Sequence, residues 1–337
     1  MLSIPGKKAF VASLLKRTRL TSLIPKLSPA LLIVLAYHRI RPEEPGFDPP
    51  FDRGVFGPTV TEFEEQVGWL CRHYRILSEA ELLALIARQA EPTDPCAVIT
   101  FDDAYKDNYR RARPVLERHG APAIFFVASD IVERRRLGWW DQIAYLVKQT
   151  ALDTLLFRGE TFALGDRVVV IRRFLRAMKS EPAERTERFV EELASACQVE
   201  LPSVEAQDAE LMTWDELRES AGGVIAIGSH THTHRVLSTL PTEVQRNELA
   251  RSKYEIERHI GKEVRTVAFP TGGANAFTAR TMQLAQETGY TAAFSYLGPA
   301  PYNRWRSLQR FNLRRLCPPD SFAEFAATVA LPSVFAR

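Results

Sequence analysis

Val98-Ile99-Thr100-Phe101-Asp102-Asp103 is an apolar run that ends abruptly in two adjacent carboxylates. It reads as a buried strand whose C-terminal end opens into a cleft. Neighbouring residues at a strand end point different ways, so Asp102 and Asp103 can do different jobs, one binding a metal while the other holds a water. Outward from this run the pattern repeats. Leu31 to Tyr37 is a first core strand ending at His38-Arg39, Ala123 to Val127 a third, and Val224 to Ile227, Thr266 to Phe269 and Ala292 to Phe294 follow. Helical stretches lie between them: Thr61–Glu64, Ser78–Glu81 and Thr213–Glu216 read as capping boxes. A helix around Tyr105 to His119 is interrupted near Pro114, and others run from Thr242 to Ile260 and from Thr278 to Thr288. Alternating strands and helices argue for an α/β fold with parallel strands under covering helices. The polar residues with chemistry to offer fall at strand C-terminal ends, which suits both a (β/α) barrel and an open doubly wound sheet.

The alternation lapses between about 130 and 208, where the pattern is helical, charged and without obvious strands. This stretch is expected to be an insertion lying across one face of a catalytic domain spanning 31–337. The tail from Pro299 is aromatic and basic and fits no element. Trp139-Trp140-Asp141 opens the insertion. The two indoles either stack on a sugar ring, with Asp141 bonding its hydroxyls, or anchor the insertion to the main body.

Ile227-Gly228-Ser229-His230-Thr231-His232-Thr233-His234 holds three of the chain's seven histidines. Neutral imidazoles are metal ligands, so the cluster points to an ion. On an extended strand all three would share a face; on a helical or turn-like segment His230 and His234 pair and His232 points away. Gly228-Ser229 ends the preceding strand, which favours the second geometry. Two nitrogens need a third ligand, and the Asp102-Asp103 pair is the candidate. Taken alone, that pair is more often a helix N-cap.

The rest of the chain is permissive. With 337 residues, 45% hydrophobic and 25% charged, it has an ordinary globular composition, and a formal charge of +3 gives no support to nucleic-acid binding. Cys71, Cys96, Cys197 and Cys317 form no close pair and read as reduced thiols. The first 30 residues form a basic arm without an acidic residue, either a helix on anionic lipid or a solvated arm. No signal-peptide pattern is read, so a cytoplasmic location is expected, with peripheral membrane contact through the arm. The sequence leaves the oligomeric state open.

Thr-Phe-Asp-Asp (100–103) followed by His-Thr-x-x-His (230–234) resembles the polysaccharide deacetylases, the family of the NodB-homology domain and carbohydrate esterase family 4. The resemblance covers roughly Leu31 to Phe294 outside the insertion and implies a distorted, incomplete barrel. It implies Asp103, His230 and His234 as ligands of a divalent ion, zinc first with cobalt or nickel as alternatives, and Asp102 as the catalytic base. Phe269-Pro270-Thr271-Gly272-Gly273 resembles the motif in which proline-tyrosine-glycine lines the site, with Thr271 in the tyrosine's place. The family's usual late leucine-x-histidine is missing, since no histidine follows His259. Tyr37-His38 resembles instead the start of a circularly permuted subgroup similar to the poly-N-acetylglucosamine deacetylases, which makes His38 the general acid. The expected activity is removal of N-acetyl groups from an amino-sugar polysaccharide, oligosaccharide or lipid-linked glycan. Two alternatives are a deformylase of an amino-sugar lipid and a non-catalytic glycan-binding module. Arg310 and Arg314 have no spacing that supports a role.

Overall fold

Seven parallel strands carry the site in a computed structural model that describes residues 31–182, 185–296 and 302–331; the basic arm lies outside the described residues. They are β1 (Leu31–Tyr37), β2 (Cys96–Asp102), β3 (Ala123–Val127), β4 (Ile225–Ser229), β5 (Thr266–Ala268), β6 (Ala292–Ser295) and β7 (Leu313–Arg314). Each pairs with the next, in register Leu35↔Ile99, Phe101↔Phe125, Phe125↔Ile227, Val267↔Ser229, Val267↔Ala293 and Phe294↔Leu313. Helices cover one face and barrel side chains fill the other, so both faces of each strand are dry. That is why the strands read as unbroken apolar runs: every residue of β2 is buried.

The unassigned tail closes the barrel. Two residues beyond β7, the Leu316 N–H donates to Val34 O at 2.8 Å, and the Ala36 N–H donates to Leu316 O at 2.9 Å. The first half of β1 is taken by a different piece, the short strand Tyr302–Arg304, which pairs antiparallel with Leu31 to Ile33. The sheet is therefore closed at its C-terminal end and distorted at the other.

Two local expectations need correction. The first capping box is formed by Thr59 and Glu62, two residues earlier than read, and Thr61 donates its N–H to Glu43 instead. Both positions satisfy the same four-residue pattern. The strand Phe56–Thr59 leaves Thr59 extended, as an N-cap must be. The insertion, expected without strands, contains the hairpin Thr154–Phe157 and Glu160–Ala163. Its turn, Arg158-Gly159, has positive φ at both positions (50° and 82°), the geometry that two-residue hairpins demand. The hairpin and the helices Trp139–Gln149, Arg167–Ser180 and Thr186–Cys197 pack around a second core. Phe157, Phe162, Phe174 and Phe189 lie in it, and the barrel contributes Phe51 and Tyr105. Among the described residues, no helix is long and apolar enough to cross a membrane.

Candidate active site

β4 delivers the histidines. After Ser229 the chain does not become helical; it turns through left-handed residues, with Thr231 at φ 64° and His234 at φ 55°. The turn-like geometry, rather than a helical face, brings His230 and His234 together, with ring centroids 4.7 Å apart. His230 Nδ1 lies 2.7 Å from Ala268 O. A carbonyl only accepts, so Nδ1 carries the proton and Nε2 offers its lone pair to the cleft. Burial pushes the His230 imidazole down to about 4, against the pull of Asp102, so it is neutral near pH 7. His232 faces the other way, with Nδ1 2.8 Å from Ser129 Oγ.

β2 delivers the carboxylates. Asp103 and Ala104 both have positive φ, 74° and 55°, an uncommon conformation for two successive residues with side chains. This twist turns Asp103 toward the histidines: its Oδ1 is 3.3 Å from His234 Nε2 and 3.6 Å from His230 Nε2. The same oxygen is buried without a hydrogen-bond partner among the described residues. One ligand atom each from Asp103, His230 and His234 falls within 4.8 Å of the others. A bare carboxylate oxygen facing two imidazole nitrogens is what a divalent cation requires, and the donor set of one oxygen and two nitrogens fits zinc chemistry. Burial works to raise the Asp103 pKa, and the adjacent His234 and His230 more than reverse it.

Asp102 is held by a residue the sequence reading missed. Arg315, fully buried, grips both carboxylate oxygens, Nη1 to Oδ1 at 2.6 Å and Nη2 to Oδ2 at 2.8 Å. Burial would raise the Asp102 pKa, but the charge and hydrogen bonds of Arg315, joined by His230 and His38, together outweigh it and keep the group ionised. Period-two alternation from Leu313, which is buried, would have pointed Arg315 inward, had the tail been recognised as a strand. His38 ends β1 beside them, its Nε2 3.9 Å from Asp102 Oδ2 and its side chain 25% exposed.

The sequence model of the family described as polysaccharide deacetylase matches residues 89–154 and 161–293, more than half of the chain. The chain belongs to the polysaccharide deacetylase family. Asp102, Asp103, His230 and His234 lie inside the matched region, His38 and Arg315 outside it, and the gap at 155–160 falls in the hairpin of the insertion, spanning its turn. YxkH of Bacillus subtilis (strain 168), whose name is that of a polysaccharide deacetylase, is 23% identical over 303 residues, 89% of this chain and 77% of that one. IcaB from Ammonifex degensii superimposes with TM-score 0.56 at 20% identity, covering 89% of this chain and 97% of that one. The Streptococcus pyogenes deacetylase PplD, solved in complex with acetate, gives TM-score 0.56 at 16% identity, over 86% and 93%. At these identities the two structures speak for the fold alone: the barrel is of the NodB-homology type. Family membership makes the protein a carbohydrate N-deacetylase, a hydrolase of non-peptide carbon–nitrogen bonds.

A cleft with a volume of about 330 Å³ gathers most of the anticipated residues on its walls: His38, Asp102, Asp103, His230, His234, Thr271, Trp139 and Trp140. Two anticipated residues are not on those walls. Pro270 is buried behind Thr271, and its carbonyl accepts from the Gly272 N–H at 2.6 Å, which shapes the turn that presents Thr271. Asp141 has no exposed surface for a sugar hydroxyl. It accepts from the Asp52 N–H at 2.9 Å and from the Tyr105 hydroxyl at 2.6 Å, and burial raises its carboxyl to about 7. Both tryptophans line the cleft, and Trp140 also anchors the insertion to the barrel. Trp140 donates its indole N–H to Tyr105 Oη at 2.7 Å while its ring packs 4.3 Å from that of His234. Tyr296, also missed, lines the cleft, lies 4.7 Å from the Arg315 guanidinium and stacks near His38.

Proposed function

We propose that this deacetylase uses a divalent metal ion, held by Asp103, His230 and His234, to remove N-acetyl groups from amino-sugar units of a polysaccharide, oligosaccharide or lipid-linked glycan. The observation that carries the reading is the Asp103 oxygen, buried, unpartnered and faced by two imidazole nitrogens. When bound, such an ion acidifies water and polarises an amide carbonyl. Asp102 is the proton acceptor. Arg315 fixes both its oxygens and keeps it charged through the neutral range, and a water already acidified by the ion lowers the basicity that the acceptor needs. His38, partly exposed beside Asp102, is the group that hands a proton to the departing amine. The backbone at Thr271 offers an N–H toward the amide oxygen, a contact for which a threonine serves as well as a tyrosine. Trp139 and Trp140 supply an aromatic wall for the sugar face.

The test is acetate and formate release from a panel of N-acylated amino sugars, run on chelator-treated protein and after adding zinc, cobalt or nickel. Acetate release restored by one of these ions is the expected result. Release of formate alone would shift the acyl group to formyl, and full activity without any ion would remove the metal from the proposal.

A further inference from the structure

Three residues on the cleft wall come from a single helix of the insertion, Arg167–Ser180: Arg172, Leu175 and Lys179. Spacings of three and seven place them on one helix face, with the two cations about 10 Å apart along the axis at 1.5 Å per residue. Amide hydrolysis at the Asp103 end of the cleft calls for neither cation. Among the described residues, the Arg172 guanidinium donates one hydrogen bond, to Asp52 Oδ1, an oxygen that also accepts from the Gly54 N–H at 2.8 Å. Its other N–H donors have no partner there. The guanidinium rests close against the loop beneath: a Cβ on Gly54 would lie 2.6 Å from Arg172 Nη2 and 2.9 Å from Nη1. Lys179 has no carboxylate partner among the described residues. Crowding by the cleft walls and the Arg172 charge depress its ammonium pKa, and Asp52 opposes this only in part. Of the other carboxylates of the cleft, Asp102 is held by Arg315, and Asp103 lies at the far end against His230 and His234. Among the described residues, the insertion's wall therefore carries one cation without a paired carboxylate, Lys179, and beside it Arg172, whose guanidinium keeps free N–H donors after its pair with Asp52.

We infer that this wall is an anion subsite, in which Arg172 and Lys179 receive the phosphoryl or carboxylate groups of a negatively charged glycan while its N-acylated unit occupies the Asp103–His230–His234 end. The inference rests on the deacetylase reading and narrows its substrate to anionic glycans, with Leu175 meeting the apolar sugar face between the charges.

Three glycans test it: a neutral N-acetylglucosamine oligomer, the same oligomer phosphorylated at one end, and one with alternating uronic acid units. At least one anionic glycan should exceed the neutral one in kcat/KM by about tenfold or more, through KM, and the preferred one identifies the group. Raising the salt concentration should shrink that ratio. Arg172→Gln and Lys179→Gln should each cut the ratio by about tenfold. Arg173→Gln, a control on the same helix paired with Glu160 and off the cleft wall, should keep it. Equal kcat/KM for all three glycans, or a ratio that both cleft substitutions leave intact, overturns the subsite. If none of the glycans releases acetate, the deacetylation reading fails on its own, and calorimetric binding of the same three decides the subsite. Tighter anionic binding that is lost in both variants supports it; equal binding, or none, overturns it.

Discussion

A carboxylate buried without a donor costs several kcal/mol in a folded protein, and Asp103 Oδ1 is such an atom. The cost is tolerable if an ion occupies the space between it and the two imidazoles, which makes metal content the sharpest residue-level readout. His230→Ala and His234→Ala should each lose most of the bound metal by elemental analysis, whereas His232→Ala, whose ring bonds Ser129 instead, should keep it. Asp102→Asn should retain metal and lose turnover by roughly a hundredfold or more, because an amide cannot accept the proton; the same holds for His38→Ala as the lost acid. Arg315→Gln acts differently. It leaves Asp102 buried without its bidentate partner, so urea unfolding should show a loss of roughly 3–5 kcal/mol together with the fall in rate.

At the scale of the element, the insertion is joined to the barrel by a relay of hydrogen bonds. Asp52 and Tyr105, from the barrel side, donate to Asp141, and Trp140 donates to Tyr105 and packs on His234. The helix Trp139–Gln149 thus supports the His234 ring as well as a wall of the cleft. The relay has a pH signature. Asp141 titrates near 7 in the folded protein and near 3.8 when unfolded, so between those values only the folded state holds the proton. Stability then falls as pH rises through that window, by up to about 1.4 kcal/mol per unit from this group, and levels off above 7. Asp141→Asn should flatten that part of the stability–pH curve measured by denaturant midpoints; an unchanged slope would show that Asp141 is ionised throughout.

For the whole molecule, the closing stretch after β7 couples fold to function. Leu316 completes the hydrogen bonding of β1, and its neighbour Arg315 completes the site, so closure and Asp102 orientation are formed by the same few residues. A chain cut after Ser295 should therefore fail to give a soluble, cooperatively unfolding protein, since it exposes the edge of β1 and strands a buried carboxylate. Metal should stabilise the intact protein by mass action, about 2.7 kcal/mol at a hundredfold excess over Kd, and thermal melts with and without chelator measure this.

The sequence by itself determined the features that depend on short-range pattern. Apolar runs ending in polar residues specified β1 through β6 to within a residue or two, because a strand dry on both faces can be built from little else. The Asp102-Asp103 and His230–His234 signatures marked the residues that the fold gathers at one end of the cleft, since few other roles require those types together. Tertiary structure alone decided the rest. Whether the histidines met on a helix or a turn depended on left-handed residues at 231 and 234, which neither threonine nor histidine announces. Arg315 pairs with a residue 213 positions away, and no local period records such a partner. The closing strand is too short to show alternation, and its register comes from the vacant edge of β1 rather than from its own residues. Asp141 read as a sugar ligand because its neighbours are tryptophans; only the packing of the insertion against Tyr105 and Asp52 turned it inward, where burial rather than sequence sets its charge.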